Sequence, residues 1–341
     1  MRARLLLPFL LFLAPAGLLW AQGAEPTERP FLWRIEGETP SYLYGTVHVP
    51  DPRVTNVPKV VGEAIDTSDA FFAELAMDQL AGAEGKMRLP GGKTLKDVLP
   101  DEHYQRFEAY LETVSASAFA SILEQVPPQQ REAMQGMFKR QLLQALGSLK
   151  PWAAGSQLTM LHYMPELQMG AQPLDAALYG RAKSKGKEVG GLETFDEQLA
   201  VFDSLDDEEQ VAYFGQTLDS LEKAAEEGKR PTDELVEIYL TGDAEALEQK
   251  AMEEFKADDP GAQKFLKLLL TDRNVRMADR IAEKIEADRG KGHFFAIGAL
   301  HHPGKGGIIE LLEAKGFELT RLSAADAGKL QREPVGAGAG D

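Results

Sequence analysis

Apolar positions cluster into short runs at the two ends of the chain and recur at helical spacing between them. Phe31-Leu32-Trp33-Arg34-Ile35 and Ser41-Tyr42-Leu43-Tyr44 are aromatic and β-branched runs separated by Glu36-Gly37-Glu38-Thr39-Pro40, which predicts a β-hairpin. Val57, Val60, Val61, Ala64 and Ile65 share one helical face, and Ala70-Phe71-Phe72-Ala73-Glu74-Leu75 reads as a buried strand. Alternation along that strand sets Phe71, Ala73 and Leu75 on one face and Phe72 and Glu74 on the other. Residues 101–170 read as helices, broken at Pro127-Pro128 and at Pro151. A short strand over 187–192 follows. Thr194-x-x-Glu197 and Ser204-x-x-Asp207 then resemble helix starts, and helices run on to residue 287. Phe294-Phe295-Ala296-Ile297 predicts a strand, 307–315 a helix and 317–322 a last strand.

Strands at both ends around a helical interval predict an α/β fold. Its central sheet is built from N- and C-terminal pseudo-repeats, with a long, mostly helical middle segment at about 101–290. Residues 28–325 are expected to form a single domain. The tail 326–341, rich in Gly and Ala, is expected to be disordered. At the other end, Met1-Arg2-Ala3-Arg4 is a basic head, Leu5 to Trp20 is apolar, and Ala21-Gln22-Gly23 supplies small residues for cleavage. That pattern predicts a signal peptide over 1–23 and an exported protein, periplasmic or extracellular. An apolar stretch holding two prolines falls short of the ~20 residues that span a bilayer, so no stable membrane insertion is expected after cleavage.

Composition removes several functional classes. The 341 residues include no cysteine, which excludes disulfides, thiolate metal sites and cysteine nucleophiles. With 37 Lys+Arg against 54 Asp+Glu the net charge is −17, the wrong sign for a nucleic-acid partner. The Arg181 to Lys187 run is the one dense basic stretch and reads as a solvated helix end. Gly304-Lys305-Gly306-Gly307 lacks the phosphate-loop pattern. Neither Gly-x-Ser-x-Gly nor His-Glu-x-x-His occurs.

An internal repeat carries the candidate chemistry. Gly45-Thr46-Val47-His48-Val49-Pro50 and Gly298-Ala299-Leu300-His301-His302-Pro303 share Gly-x-aliphatic-His-x-Pro, each after an aromatic strand and before a helix and a further strand. Each His therefore falls at the carboxyl end of a strand, where open α/β sheets bind ligands, and two such units side by side would bring His48 and His301 together. Glu74 ends an apolar strand, where a carboxylate is costly unless paired or metal-bound; the second repeat has Arg321 at the corresponding place. Glu193 ends a strand directly before a helix start, and Arg273 opens a helix leading into the second repeat. Asp175 is a weaker candidate. His302 reads as a neighbour of the site by strand alternation, and His103, His162 and His293 as ordinary surface or core residues.

These residues resemble the TraB/GumN family, with its Tiki-like members and, more distantly, an erythromycin-esterase/ChaN-like group. The resemblance rests on Tyr42-Leu43-Tyr44-Gly45-Thr46-Val47-His48, Phe72-Ala73-Glu74-Leu75, Gly191-Leu192-Glu193-Thr194 with Glu197-Gln198, Arg273-Asn274 with Met277-Ala278, and Ile297-Gly298-Ala299-Leu300-His301. It implies an α/β core and, for Tiki-like members, a peptidase that depends on manganese or cobalt. The substrate would be a peptide or protein. On the residues themselves, His48, His301 and one or both of Glu74 and Glu193 would hold a divalent ion through nitrogen and oxygen, a donor set that also suits zinc or iron. A carboxylate left off the ion, Glu74 if Glu193 is a ligand, would serve as base, and Arg273 would stabilise the oxyanion. Two alternatives remain open: a metal-independent His/Glu esterase, and a non-enzymatic protein that binds a peptide or haem.

Overall fold

The computed structural model describes residues 27–80, 83–254 and 260–330. The predicted signal peptide over 1–23 and the tail from 331 lie outside the described residues. Within this span two compact units can be told apart. One comprises Leu80–Gln172 and Leu199–Glu234; the other holds the described residues up to Gln79, Pro173–Gln198 and those from Leu235 on.

The second unit is built on a six-stranded mixed sheet. The strands are β1 (Leu32–Ile35), β2 (Ser41–Thr46), β3 (Ala70–Leu75), β4 (Glu188–Glu193), β5 (His293–Gly298) and β6 (Leu319–Arg321), in the order β4-β3-β5-β2-β1-β6. β1 and β2 form the predicted antiparallel hairpin. β5 lies parallel between β2 and β3, and β4 runs parallel to β3. The chain from β2 to β3 therefore steps over β5, and the chain from β5 to β6 steps over β2 and β1. The two repeats interlock rather than merely abut.

Both faces of these parallel strands are covered, which is why the sequence shows continuous apolar runs instead of clean alternation. On one face Tyr42, Tyr44, Phe71, Ala73, Phe294 and Ala296 pack with Val60, Val61, Ala64 and Ile65 of the Lys59–Thr67 helix. The Phe71 and Phe294 rings stack at 5.4 Å. On the other face Phe72 stacks on Phe295 at 5.9 Å and carries the ammonium of Lys284, from the Asp272–Ala287 helix, 3.9 Å above its ring. Glu74 shares this second face with Phe72, as the alternation requires, so its carboxylate emerges on the side where that helix begins.

The other unit is helical. Asp101–Ala118, Pro128–Leu146, Pro151–Met160 and Asp207–Glu226 are its main helices, two of them opening on the prolines that mark breaks in the sequence. Its core includes the ring pairs Phe107–Phe214, Phe119–Phe138 and Trp152–Phe202.

Two boundaries differ from expectation. The last strand spans Leu319–Arg321, and its backbone hydrogen bonds with β1 run one residue further at each end, from the Glu36 N–H to the Glu318 carbonyl and from the Leu322 N–H to the Leu32 carbonyl. The chain beyond 325 also continues as packed structure: Leu330 is buried in the same core cluster as Val60 and Phe71.

Candidate active site at the carboxyl ends of the parallel strands

β2, β5, β3 and β4 deliver their carboxyl ends to one edge of the sheet, and with them His48, His301, Glu74 and Glu193. His48 follows β2 by two residues, and 63% of its side chain is exposed. Its Nδ1 lies 2.7 Å from Asp175 Oδ2, and the other Asp175 oxygen accepts a hydrogen bond from the Thr46 hydroxyl. Asp175 itself is buried in the first turn of the Leu174–Ser184 helix. His301 sits in a single 3-10 turn, Ala299–His301, with 6% of its side chain exposed. Its Nδ1 lies 2.6 Å from Asn274 Oδ1, and Asn274 Nδ2 donates to the Gly306 carbonyl at 2.9 Å, which fixes the amide with its oxygen toward the ring.

Both imidazoles therefore donate through Nδ1 and present Nε2 elsewhere. The two Nε2 atoms face the same oxygen, Glu74 Oε1, at 3.8 Å for His48 and 3.9 Å for His301. That oxygen also accepts the Gly298 N–H at 2.6 Å. Gly298 has no side chain where the three groups meet: a Cβ there would stand 3.0 Å from Glu74 Oε1, 3.4 Å from His48 Nε2 and 3.5 Å from His301 Cδ2. Glu74 Oε2 is taken by Arg273 Nη2 at 2.5 Å and Gln198 Nε2 at 3.2 Å. Among the described residues, no three histidine or carboxylate side chains are already drawn together as the ligand set of an ion.

The charges are uneven. Burial works against the Glu74 carboxylate, but His301, Arg273, His48 and the Gly298 N–H outweigh it and hold the group far below the usual carboxylate range. The Asp175 carboxylate raises His48 to about 9, against the desolvation it meets on its inner side. Burial lowers His301 to about 4, with Glu74 opposing and Arg273 assisting.

Glu193, expected as a metal carboxylate, is placed differently from that role. Its side chain has no exposed surface, Oε2 is gripped by Arg273 at 2.7 and 2.9 Å, and Oε1 by Arg276 at 2.7 and 3.1 Å. With both oxygens held by guanidinium groups, it is not open to an ion in this arrangement. Arg273, expected to face an oxyanion, is buried between Glu74 and Glu193, with Nη1 turned to the Leu269 carbonyl. His302 is a buried neighbour, though in a turn and not by strand alternation, its ring 5.1 Å from Trp33. Arg321 lies at the sheet edge on backbone carbonyls of Arg29, Pro30 and Gly242, which is where the symmetry between the repeats ends. The basic run is structural: Arg181 and Lys185 pair with Asp66, and Lys187 binds the Ser68 carbonyl. His103 and His162 belong to the helical unit, and His293 begins β5, at the end away from the site.

Gln198 and Asn274 enter the sequence reading only within the family resemblance, with no role given, and Arg276 does not enter it. The available signal was the spacing of Arg273, Arg276 and Arg280, which puts three guanidinium groups on one helical face.

The sequence model of the TraB/PrgY/gumN family matches residues 31–321, a span that contains all of these groups. The chain belongs to the TraB/PrgY/gumN family. Similar curated proteins include Metalloprotease TIKI1 of Danio rerio, 28% identical over 86% of this chain and 63% of its own length. Metalloprotease TIKI2 of Xenopus tropicalis is 27% identical over 86% of this chain and 60% of its own. The Metalloprotease TIKI homolog of Amphimedon queenslandica is 26% identical over 88% and 63%. This family member thus spans about six-tenths of the length of those relatives. No solved structure matches it.

Proposed function

We propose that the protein is a hydrolase that cleaves a peptide bond in a peptide or protein substrate with the help of a divalent metal ion. One observation carries this reading: two imidazoles, each with Nδ1 occupied behind it, aim Nε2 at the same carboxylate oxygen. Histidines that bind metals are oriented in this way, the far nitrogen donating to a carboxylate or carbonyl oxygen. Ligand atoms sharing one first-row ion stand roughly 3 to 3.5 Å apart. The Nε2–Oε1 separations of 3.8 and 3.9 Å are close to that, and the missing Cβ of Gly298 leaves room beside them. The chemistry of these donors therefore suits an ion held by His48, His301 and Glu74, which would draw the three groups closer together than they stand here. Manganese or cobalt is suggested by the resemblance to Tiki proteins, while zinc and iron suit the same donors.

When bound, the ion would polarise the scissile carbonyl and acidify water at the site. The protein's own groups do the rest. Asp175 and Thr46 orient His48, the ring open to a substrate. Asn274 fixes the buried His301. Arg273 and Gln198 occupy Glu74 Oε2, so the carboxylate stays charged and offers Oε1 alone. Such a strongly acidic group is a weak base, which favours Glu74 as ligand over Glu74 as base. The leader pattern at 1–23 supports work outside the cytoplasm, and among the described residues no helix is long and apolar enough to cross a membrane.

The test combines metal analysis and turnover. Protein purified without chelator is expected to contain a divalent metal, to lose peptide cleavage on chelation and to regain it on adding manganese or cobalt. His48→Ala and His301→Ala, verified as folded by circular dichroism, should each lose more than the ~10–100-fold typical of removing a ligand's hydrogen-bond partner. Undiminished cleavage by either variant would discard the assignment. A second reading has its own support: the exposed His48 ring with Asp175 at 2.7 Å is a pair able to pass a proton to a substrate without metal. Turnover unchanged by chelation but lost in His48→Ala and Asp175→Asn would select that reading instead.

A further inference from the structure

We infer that Glu193 is a positioning residue, acting through Arg273 to hold Glu74 in place and, together with Arg276, to set the affinity of the site for a divalent cation. The inference rests on the metal-dependent reading above.

The groups form a ladder of alternating charge: Glu74, Arg273, Glu193, Arg276, Glu197, Arg280. Arg273 Nη2 touches Glu74 Oε2 at 2.5 Å and Glu193 Oε2 at 2.7 Å. Arg276 Nη2 holds Glu193 Oε1 at 2.7 Å, and Arg280 Nη2 holds Glu197 Oε1 at 2.7 Å. Gln198 Nε2 reaches both inner carboxylates, at 3.2 and 3.3 Å, on the same Oε2 atoms that Arg273 grips. The acids come from the ends of β3 and β4 and from the Phe195–Asp203 helix. The arginines come from one face of the Asp272–Ala287 helix. Leu75 and Glu193 are partners in the β3–β4 register, so the two carboxylates are one strand apart and Arg273 spans them.

Two consequences follow for the ion. The first is geometric. Arg273 is held at Glu193 by two nitrogens and reaches Glu74 with only one of them. Glu193 therefore fixes the guanidinium, and the guanidinium fixes which Glu74 oxygen is free. The second is electrostatic. Glu193 neutralises charge that would otherwise sit beside the cation, in an interior where charges are weakly screened. Removing the charge of Glu193 while keeping its shape leaves Arg273 and Arg276 without their shared partner, which loosens the clamp and repels the ion.

The test is equilibrium binding of Co²⁺, read by its visible absorption, and of Mn²⁺, read by calorimetry, to chelator-stripped full-length protein. Glu193→Gln is expected to raise both Kd values by about 10-fold or more, the scale of groups that orient ligands. The double variant Glu193→Gln/Arg276→Gln restores the charge balance and should recover part of that loss, a rescue that a merely structural role would not give. If Glu193→Gln fails to fold, the double variant and Glu193→Asp, which keeps the charge but shortens the reach, supply the same comparison, and both should bind more weakly than wild type. Wild-type Kd values in the folded variants would overturn the inference and leave the metal site standing. Absence of Co²⁺ and Mn²⁺ binding by the wild-type protein would instead remove the reading on which it rests.

Discussion

The two Gly-x-x-His segments lie on adjacent parallel strands, yet they set their imidazoles in opposite surroundings. His48 is mostly exposed and backed by a carboxylate; His301 is buried and backed by an amide. The first ring is pushed up to about 9 and the second down to about 4. A shared motif thus fixes where Nε2 points, while the carboxylate behind His48 raises one ring and burial lowers the other. With His48 raised and Glu74 lowered, an ion bound through His48 Nε2 would have to displace a proton from the ring. The glycines differ as well. A Cβ on Gly298 would enter the space between the three donors, whereas a Cβ on Gly45 would lie 2.7 Å from Phe31 Cβ and 3.1 Å from the Ala299 Cα. One glycine keeps the space between three polar side chains clear; the other lets neighbouring backbone segments pack.

Exchanging the partners behind the rings should break this contrast most strongly. Asp175→Asn is expected to lower the His48 pKa toward ~6.5, the free imidazole value. It should also weaken Co²⁺ binding by about 10–100-fold. Asn274→Asp should raise the His301 pKa. Proton NMR of the chelated protein reads both shifts, and an unmoved His48 would show that Asp175 is not what charges it.

The glycines offer a smaller but cleaner division. Gly45→Ala should cost about 1–3 kcal/mol of stability through overpacking, seen as a lower Tm. Gly298→Ala, whose Cβ would press only on side-chain atoms, should lower Tm less than Gly45→Ala while weakening Co²⁺ binding several-fold. If the two variants lost stability and binding in the same proportion, the division of roles between the glycines would be wrong.

The smallest effect is in the pH dependence of stability without metal. Because the folded state raises His48, its contribution is complete below ~6.5 and is lost as pH climbs through about 9. Because the folded state lowers His301, its contribution is complete above ~6.5 and is lost as pH falls through about 4. Urea midpoints measured across this range should fall on both sides, and Asp175→Asn should flatten the alkaline side only. An alkaline slope that survives Asp175→Asn would assign it to another group.

The repeat made the β2–β5 adjacency legible, and strand alternation placed Glu74 on the face opposite Phe71. What stayed hidden were the partners. Asp175 lies 127 residues from His48 and Asn274 lies 27 from His301, separations that no local period encodes. Glu193 was visible as a carboxylate at a strand end, but a carboxylate there reads alike whether it waits for an ion or for arginines. Only the guanidinium groups at 273 and 276 decide it. The buried Leu330 was hidden for a similar reason, since docking of a tail depends on what the remote neighbour offers.

The insertion of β5 between β2 and β3 has a temporal meaning. A polypeptide leaving the ribosome delivers His48 and Glu74 more than two hundred residues before the strand that separates their own strands. Until that late strand arrives, the early pair has no partner to wedge against and no second imidazole. Any stalled or clipped product ending before residue 301 would therefore lack one of the two imidazoles on which the proposed site depends.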